Sequence, residues 1–290
     1  MPKDDATFTS DLDAVREKFQ EASEKNMREA YGFMLRDQFE SQMNRVQSGL
    51  RFVNEIGSIS GGTAIVTDAL ELQVLPRLKE YELSNNEGPV QIVRGKLEEW
   101  HGPEGSASYQ FKWAYLPQLA TALENQLAAM QSMAAIMTSY EAVLDQVRQK
   151  TLDILKEATK AIDDNTEQVE QASSVAAMVT AVVTGLAGGA TVGGPKAPFA
   201  AAVFGALGAV GVKLDAVATA TEGDNWFDIT GDMLEKLQDV ATATKEEAGV
   251  LASALDEVLN YAAGDFSSEF VPPAVLSTGV SAAAFDGFAG

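Results

Sequence analysis

The residues best suited to chemistry lie together in the octapeptide EEWHGPEG, residues 98–105. His101 is the only histidine of the chain, and histidine is the commonest general base. The carboxylates of Glu98, Glu99 and Glu104 offer the acid pair that glycoside hydrolysis uses, although the same residues also solubilise a turn. A catalytic base needs a nucleophile and an orienting group, and no motif supplies them. We therefore predict no catalytic residue and no enzymatic activity.

Metal and cofactor sites also lack the necessary spacing. The chain has no cysteine and no HExxH or calcium-loop pattern. The glycines of GLAGGATVGG, residues 185–194, resemble a phosphate cradle, but no Lys-Ser or Lys-Thr follows and no strand precedes them. We predict neither a metal nor a cofactor.

The charge of the chain limits its partners. Acidic residues number 42 and basic residues 21, for a formal net charge of −21. Such a field repels nucleic-acid phosphates and anionic lipids, so we expect no nucleic-acid partner. The N-terminus has no apolar signal sequence, which predicts a cytosolic protein or one exported by a signal-peptide-independent route.

The elements that would position these residues are helices. From Ser10, the predicted N-cap, apolar residues recur at steps of three and four, and GSISGG at 57–62 ends the pattern. A five-residue step between Ala22 and Met27 shifts the apolar stripe, so we expect one long helix or two in series. No segment alternates with a period of two, which predicts an all-α fold.

Two prolines affect the predicted helix boundaries in residues 65–100. Pro76 lies inside the apolar segment 65–83, where it is expected to kink or break a helix. Pro89 is placed to begin a short amphipathic helix that ends near Trp100.

A long helix is predicted from about Ala107 to Ser173, and a final one from near Asp232 toward Tyr261. The apolar positions of the long helix are Leu116, Leu119, Leu123, Leu127, Met130, Ala134, Met137, Tyr140, Leu144, Val147, Leu155, Ala158 and Ile162.

The composition changes abruptly in residues 174–213, which form two apolar halves around a GGPK turn. We favour a hairpin buried in the bundle over one that enters a membrane, because alanine and glycine contribute little to insertion. The candidate core or membrane residues are Val175, Val179, Val182, Leu186, Phe199, Phe204 and Leu207.

Trp100, Gly102 and Pro103 form a predicted stop between two helices. A left-handed Gly102 would cap the first helix, Pro103 would prevent its continuation, and the Trp100 ring would hold the two helices antiparallel. With Ala107 and Phe111 after it, this Trp-x-Gly turn resembles that of the WXG-type proteins exported by the actinobacterial type VII (ESX) secretion system. Only Trp100 and Gly102 match residue by residue.

The resemblance implies a non-enzymatic secretion substrate or partner that acts through helix–helix contacts, as homo-oligomers or hetero-oligomers. Its helical protein partners would be the secretion machinery or a co-exported protein, and the protein would end up secreted or at the cell surface. The family's Tyr-x-x-x-Asp/Glu export signal is matched by Tyr261 and Asp265, whereas Tyr140 has Leu144 at the acidic position.

These observations predict an elongated bundle built on a long antiparallel helical hairpin, with the apolar hairpin packed at one end. The predicted domains are a helical region at 1–173, the apolar hairpin at 174–213, a C-terminal helix region at 214–265 and a loosely ordered tail at 266–290. Two other functions stay open. One is a pore-forming protein that inserts 174–213 and is similar to the tripartite helical haemolysins, and the other is an elongated scaffold.

Overall fold

The computed structural model describes residues 5–31, 35–57, 69–80, 89–100, 102–104, 106–168 and 198–263. Within these ranges all regular structure is helical, which confirms the all-α class. The α-helices, in chain order, are α1 (Asp5–Asn26), α2 (Arg36–Gly57), α3 (Leu75–Glu80), α4 (Pro89–Leu97), α5 (Ala107–Gln110), α6 (Leu116–Gln168), α7 (Pro198–Leu207), α8 (Val212–Ala216) and α9 (Trp226–Ala263).

The five-residue step in the first apolar stripe coincides with a π-helical turn, Met27–Tyr31, directly after α1. A π-helical turn bonds residue i to residue i+5, so it takes up the extra residue that shifts the stripe. The end of α2 at Gly57 agrees with the predicted terminator. The predicted N-cap at Ser10 is wrong, because α1 already begins at Asp5.

Pro76 does not break the helix around it. A π-helical turn, Leu70–Val74, runs directly into α3, and the Leu75 amide donates to the Leu70 carbonyl five residues back. The proline is thus the second residue of α3 and follows directly on the π-helical turn. Pro89 begins α4 as predicted.

The long helix predicted from Ala107 is confirmed over the described residues. It starts as the single turn α5, passes through a π-helical turn at Phe111–Tyr115, and continues as α6 for 53 residues. At 1.5 Å per residue α6 is about 80 Å long. Eight of the predicted apolar positions are buried: Leu116, Leu127, Ala134, Leu144, Val147, Leu155, Ala158 and Ile162.

The apolar segment is described only from Pro198 onward, so its predicted residues Val175, Val179, Val182 and Leu186 lie outside the described residues. Its second half forms the ten-residue α7, in which Phe204 and Leu207 are half-buried; Phe199 belongs to the same helix. A turn at 208–211 follows, in which Gly211 takes a left-handed φ of 91°. Among the described helices, none is both long enough and apolar enough to cross a bilayer.

The final helix begins six residues earlier than Asp232. The Asn225 side chain caps α9: its Oδ1 accepts hydrogen bonds from the amides of Phe227 (3.0 Å) and Asp228 (3.1 Å). Asp228, three residues after Asn225, accepts a hydrogen bond from the Asn225 side-chain nitrogen. The start predicted near Asp232 was therefore too late by more than one and a half turns. The tail at 266–290 lies outside the described residues.

The contacts divide the chain into two units. The first contains residues 1–65, 138–188 and 208–251, and the second contains 66–137, 189–207 and 252–290. The domain boundaries predicted from composition stay a prediction.

In the first unit, α1 runs in the same direction as α6. The Arg148 guanidinium lies 5.5 Å from the centre of the Phe8 ring, and Asn26 donates to the Thr166 hydroxyl. The two residues of each pair are 140 positions apart in the sequence, so α1 and α6 run parallel.

Helices α2 and α9 also run parallel. The rings of Phe39 and Trp226 are 4.8 Å apart, and the Gln42 amide donates to Thr230 at 3.4 Å one turn further along both helices. The core of this unit includes Phe8, Phe19, Val46, Leu152, Ile154, Leu155, Ile162, Leu214, Trp226, Ile229 and Met233.

In the second unit the described residues comprise α3, α4, α5, α7 and the adjoining parts of α6 and α9. Its largest buried aliphatic side chains are those of Leu70, Leu116, Leu127, Ile136, Val203 and Val258. This unit carries the tryptophan turn.

Candidate functional site

The tryptophan turn lies between α4 and α5. Two backbone hydrogen bonds close the end of α4: the Glu98 amide donates to the Gly95 carbonyl and the Trp100 amide to the Leu97 carbonyl, both at 3.1 Å. Gly102 therefore lies five residues beyond the last residue of α4. The prediction that it caps this helix is wrong, because the helix ends at Leu97 and a capping glycine directly follows the end of a helix.

Gly102 is instead needed for a close approach. A Cβ at this position would lie 2.0 Å from the Ser108 Oγ and 2.4 Å from the Ser106 Oγ. The two serine hydroxyls are hydrogen-bonded to each other at 3.0 Å, and the Ser106 Oγ accepts from the Tyr109 amide at 3.3 Å. Ser106 is thus the N-cap of α5, and the glycine leaves room for the cap to form.

The Trp100 ring joins the two sides of the turn. Its centroid lies 6.2 Å from that of Phe111 at an interplanar angle of 52°, and Phe111 stacks on Tyr115 at 5.1 Å. The contact links Trp100, three residues after the end of α4, to the π-helical turn that follows α5. Aromatic pairs in this range contribute beyond their buried area. The predicted pairing of Trp100 with the next helix is observed, whereas the antiparallel course of the helices stays a prediction.

A second tryptophan faces solvent close to this turn. Trp113 is 63% exposed, and the Lys112 ammonium lies 5.7 Å from its ring centroid. Ile92 and Val93 on α4 are exposed as well. These three apolar side chains, here called the exposed apolar set, are available for contact with another molecule.

The remaining candidates are spread over the chain. His101 and Asp265 lie outside the described residues, and Tyr261 is half-buried near the end of α9. Tyr140 is half-buried in α6, where desolvation by burial raises the pKa of its phenol. The described residues include no group of three or more histidine, cysteine or acidic side chains that could hold a metal ion.

A groove of about 560 Å³ lies between α1 and α2 in the first unit. Its floor is formed by Leu12 and Leu50, and its polar lining includes Arg16, Asn44 and Gln47. The lining also includes Asp13 and Ser48, and the Ser48 hydroxyl donates to the Asn44 carbonyl at 2.8 Å.

Two polar junctions of the first unit were missed from the sequence. In one, Asn26 bonds to the end of α6. In the other, the carboxylate of Glu247, 2% exposed, accepts a hydrogen bond from the Lys213 amide at 3.0 Å, and the Lys213 ammonium pairs with Glu246. That hydrogen bond to Glu246 raises the pKa of Lys213, with help from the charges of Glu246 and Glu247. No local motif marks these residues, because each partner is distant in sequence.

Fold and turn together define an all-α protein whose described core packs helix on helix. No protein-family model matches the chain, and neither a curated protein nor a solved structure does so.

Proposed function

We propose that this chain is a non-enzymatic, WXG-like substrate or partner of an actinobacterial type VII secretion system, and that it works by helix-to-helix recognition. The observation that carries the proposal is the contact of Trp100 with Phe111 across the Gly102 turn. Trp100 carries the family resemblance together with Gly102, and Phe111 is the aromatic residue of the same motif.

The exposed apolar set supports recognition of a helical protein partner. Ile92, Val93 and Trp113 leave apolar area in contact with water, and burial of such area in a complex contributes about 25 cal/mol per Å². Tryptophan is also among the residues that contribute most to binding when they are buried at an interface.

Export without a cleaved signal peptide is part of the proposal. Tyr261 and Asp265 are the proposed export signal, and the protein would pass from the cytoplasm to the exterior or the cell surface. In an actinobacterial host with this secretion system, deletion of the secretion ATPase should retain the chain in the cytosol. An unchanged extracellular amount would refute the proposal.

The role of the turn is tested by two substitutions of one residue. Trp100→Ala removes the contact with Phe111 and should abolish export, while Trp100→Phe keeps an aromatic ring there and should preserve most of it. Circular dichroism of both purified variants confirms that helical content is retained. If both variants are exported in equal amounts, the contact of Trp100 with Phe111 is not required for export.

The export signal has its own test. Tyr261→Ala should retain the protein in the cytosol, and Tyr140→Ala, a change of the tyrosine that lacks the acidic partner four residues on, should not. If Tyr140→Ala alone blocks export, the signal has been assigned to the wrong tyrosine.

A further inference from the structure

Two polar side-chain oxygen atoms near the end of α1 are buried without a hydrogen-bond partner. Ser23 is 0% exposed and Asn26 is 1% exposed, and neither the Ser23 Oγ nor the Asn26 Oδ1 has a partner in the structure. A buried polar atom left unpaired costs more free energy than an ordinary hydrogen bond contributes, so native proteins pair such atoms with protein groups or with water.

The orientation of the Asn26 amide follows from its neighbours. Its Nδ2 donates to the Thr166 Oγ1 at 2.8 Å and lies 3.4 Å from the Asn165 Oδ1. The Thr166 hydroxyl already donates its single proton to the Ile162 carbonyl at 2.8 Å, so toward Asn26 it can only accept. The amide nitrogen must therefore face Thr166, and exchange of the amide oxygen and nitrogen does not resolve the unpaired oxygen.

Ser23 and Asn26 are three residues apart in α1, which places both side chains on one face of the helix. Residues three apart on a helix lie on the same face, with Cβ atoms about 5–6 Å apart. A water molecule that forms hydrogen bonds of about 2.8 Å spans this separation. Buried waters of this kind bridge otherwise unpaired groups in most globular proteins.

We infer that a single buried water molecule bridges the Ser23 hydroxyl and the Asn26 side-chain oxygen. Its two partners are neutral, whereas calcium and magnesium take six or more oxygen ligands that include carboxylates. The water completes a hydrogen-bonded chain through Asn26 and Asn165 to the Asp224 carbonyl, which the Asn165 Nδ2 reaches at 2.9 Å. This chain connects α1, the end of α6 and the loop that precedes α9. The inference is independent of the proposed function.

Thermal unfolding of two serine variants tests the hydration site. Ser23→Ala removes one partner of the water and should lower the melting temperature by about 2–4 °C, the shift that the loss of one hydrogen bond causes in a chain of this size. Ser10→Ala, at an exposed position of the same helix, should leave it equal or slightly higher, because alanine is the better helix former. If Ser23→Ala raises the melting temperature as much as Ser10→Ala does, the hydroxyl has no water to lose and the inference is overturned.

A crystal structure of the full chain at about 1.5 Å resolution or better provides the direct measurement. Electron density for one water within hydrogen-bonding distance of both oxygens is expected, and a dry site overturns the inference. Exchange of sodium chloride for potassium or choline chloride at constant ionic strength should leave the melting temperature unchanged. A melting temperature that depends on the identity of the cation would assign the site to a metal ion instead.

Discussion

Alanine substitutions at Gly95 and at Gly102 should change the free energy of unfolding in opposite directions. Gly102→Ala places a methyl group against two serine hydroxyls and disturbs the N-cap of α5, so the free energy of unfolding should fall by about 1–2 kcal/mol. Gly95→Ala meets no atom within 4 Å inside α4 and should raise it by about 0.5–1 kcal/mol. Urea unfolding measures both. An increase for Gly102→Ala would contradict the close approach.

The ion pair of Lys213 with Glu246 can be followed by titration. Because the hydrogen bond to Glu246 raises the pKa of Lys213, the stabilisation from this lysine is complete below the ordinary lysine pKa of about 10.4. It is lost as the pH rises through the raised value. The NMR signal of the Lys213 Cε should therefore titrate at a higher pH than the ordinary lysine value.

Two glutamine substitutions distinguish the contributions of Glu246 and Glu247 to the raised pKa of Lys213. Glu246→Gln removes the larger cause and should return the Lys213 pKa close to the ordinary value, while Glu247→Gln removes only a weaker charge and should change it less. If Glu247→Gln has the greater effect, the assignment of the cause is wrong.

Some contacts could be predicted from the sequence and others could not. Trp100, Gly102 and Phe111 stand within twelve residues of one another, so a local pattern suffices to bring them together. Asn26 and Thr166 are 140 residues apart, and their contact depends on how α1 and α6 align. The capping role assigned to Gly102 failed because a glycine after a helix suggests a cap, whereas here the helix ends earlier and the glycine serves a close approach.

Among the helices, the spacing of apolar residues indicated irregular turns more reliably than candidate capping residues indicated helix starts. The five-residue step after Ala22 marked the site of a π-helical turn, because the burial of one face requires an extra residue in that turn. Ser10 met the N-cap rule but lies inside α1, and Asn225 is an actual cap that was overlooked. Many serines and asparagines satisfy such a rule, and tertiary contacts decide which of them begins a helix.

The cap of α9 can be measured on its own. Asn225→Ala removes the acceptor for the amides of Phe227 and Asp228 and should lower the free energy of unfolding by about 1 kcal/mol. Asn225→Ser retains a side-chain oxygen that can accept, and should cost clearly less. Chemical denaturation followed by circular dichroism gives both values, and equal losses would show that the cap contributes nothing.

For the whole molecule, charge dominates the expected response to salt. A net charge of −21 generates repulsion within the folded chain, which dissolved ions screen over about 10 Å at 0.1 M. The melting temperature should rise as sodium chloride increases from 20 to about 300 mM, and choline chloride should have the same effect. A melting temperature that falls with salt would mean that attractive ion pairs outweigh the repulsion.

The parallel course of α1 with α6 and of α2 with α9 belongs to the same scale. Parallel neighbours need long connections, and more than eighty residues separate α1 from α6. A sequence pattern describes the apolar face of each helix but not the helix against which it packs. Apolar faces are chemically alike, so the choice of partner depends on shape and on a few polar contacts such as those of Asn26 and Gln42.

The sequence by itself determined the helical class, the long apolar stripe of α6, the turn at Trp100 and the acidic character of the chain. Each of these depends on residue types at fixed local spacing, which the backbone geometry of a helix converts directly into structure. The tertiary structure decided the starts of α1 and α9, the tolerance of Pro76, the crowding around Gly102 and the polar junctions at Asn26 and Glu247. These depend on distances between atoms of remote segments, which local spacing does not specify.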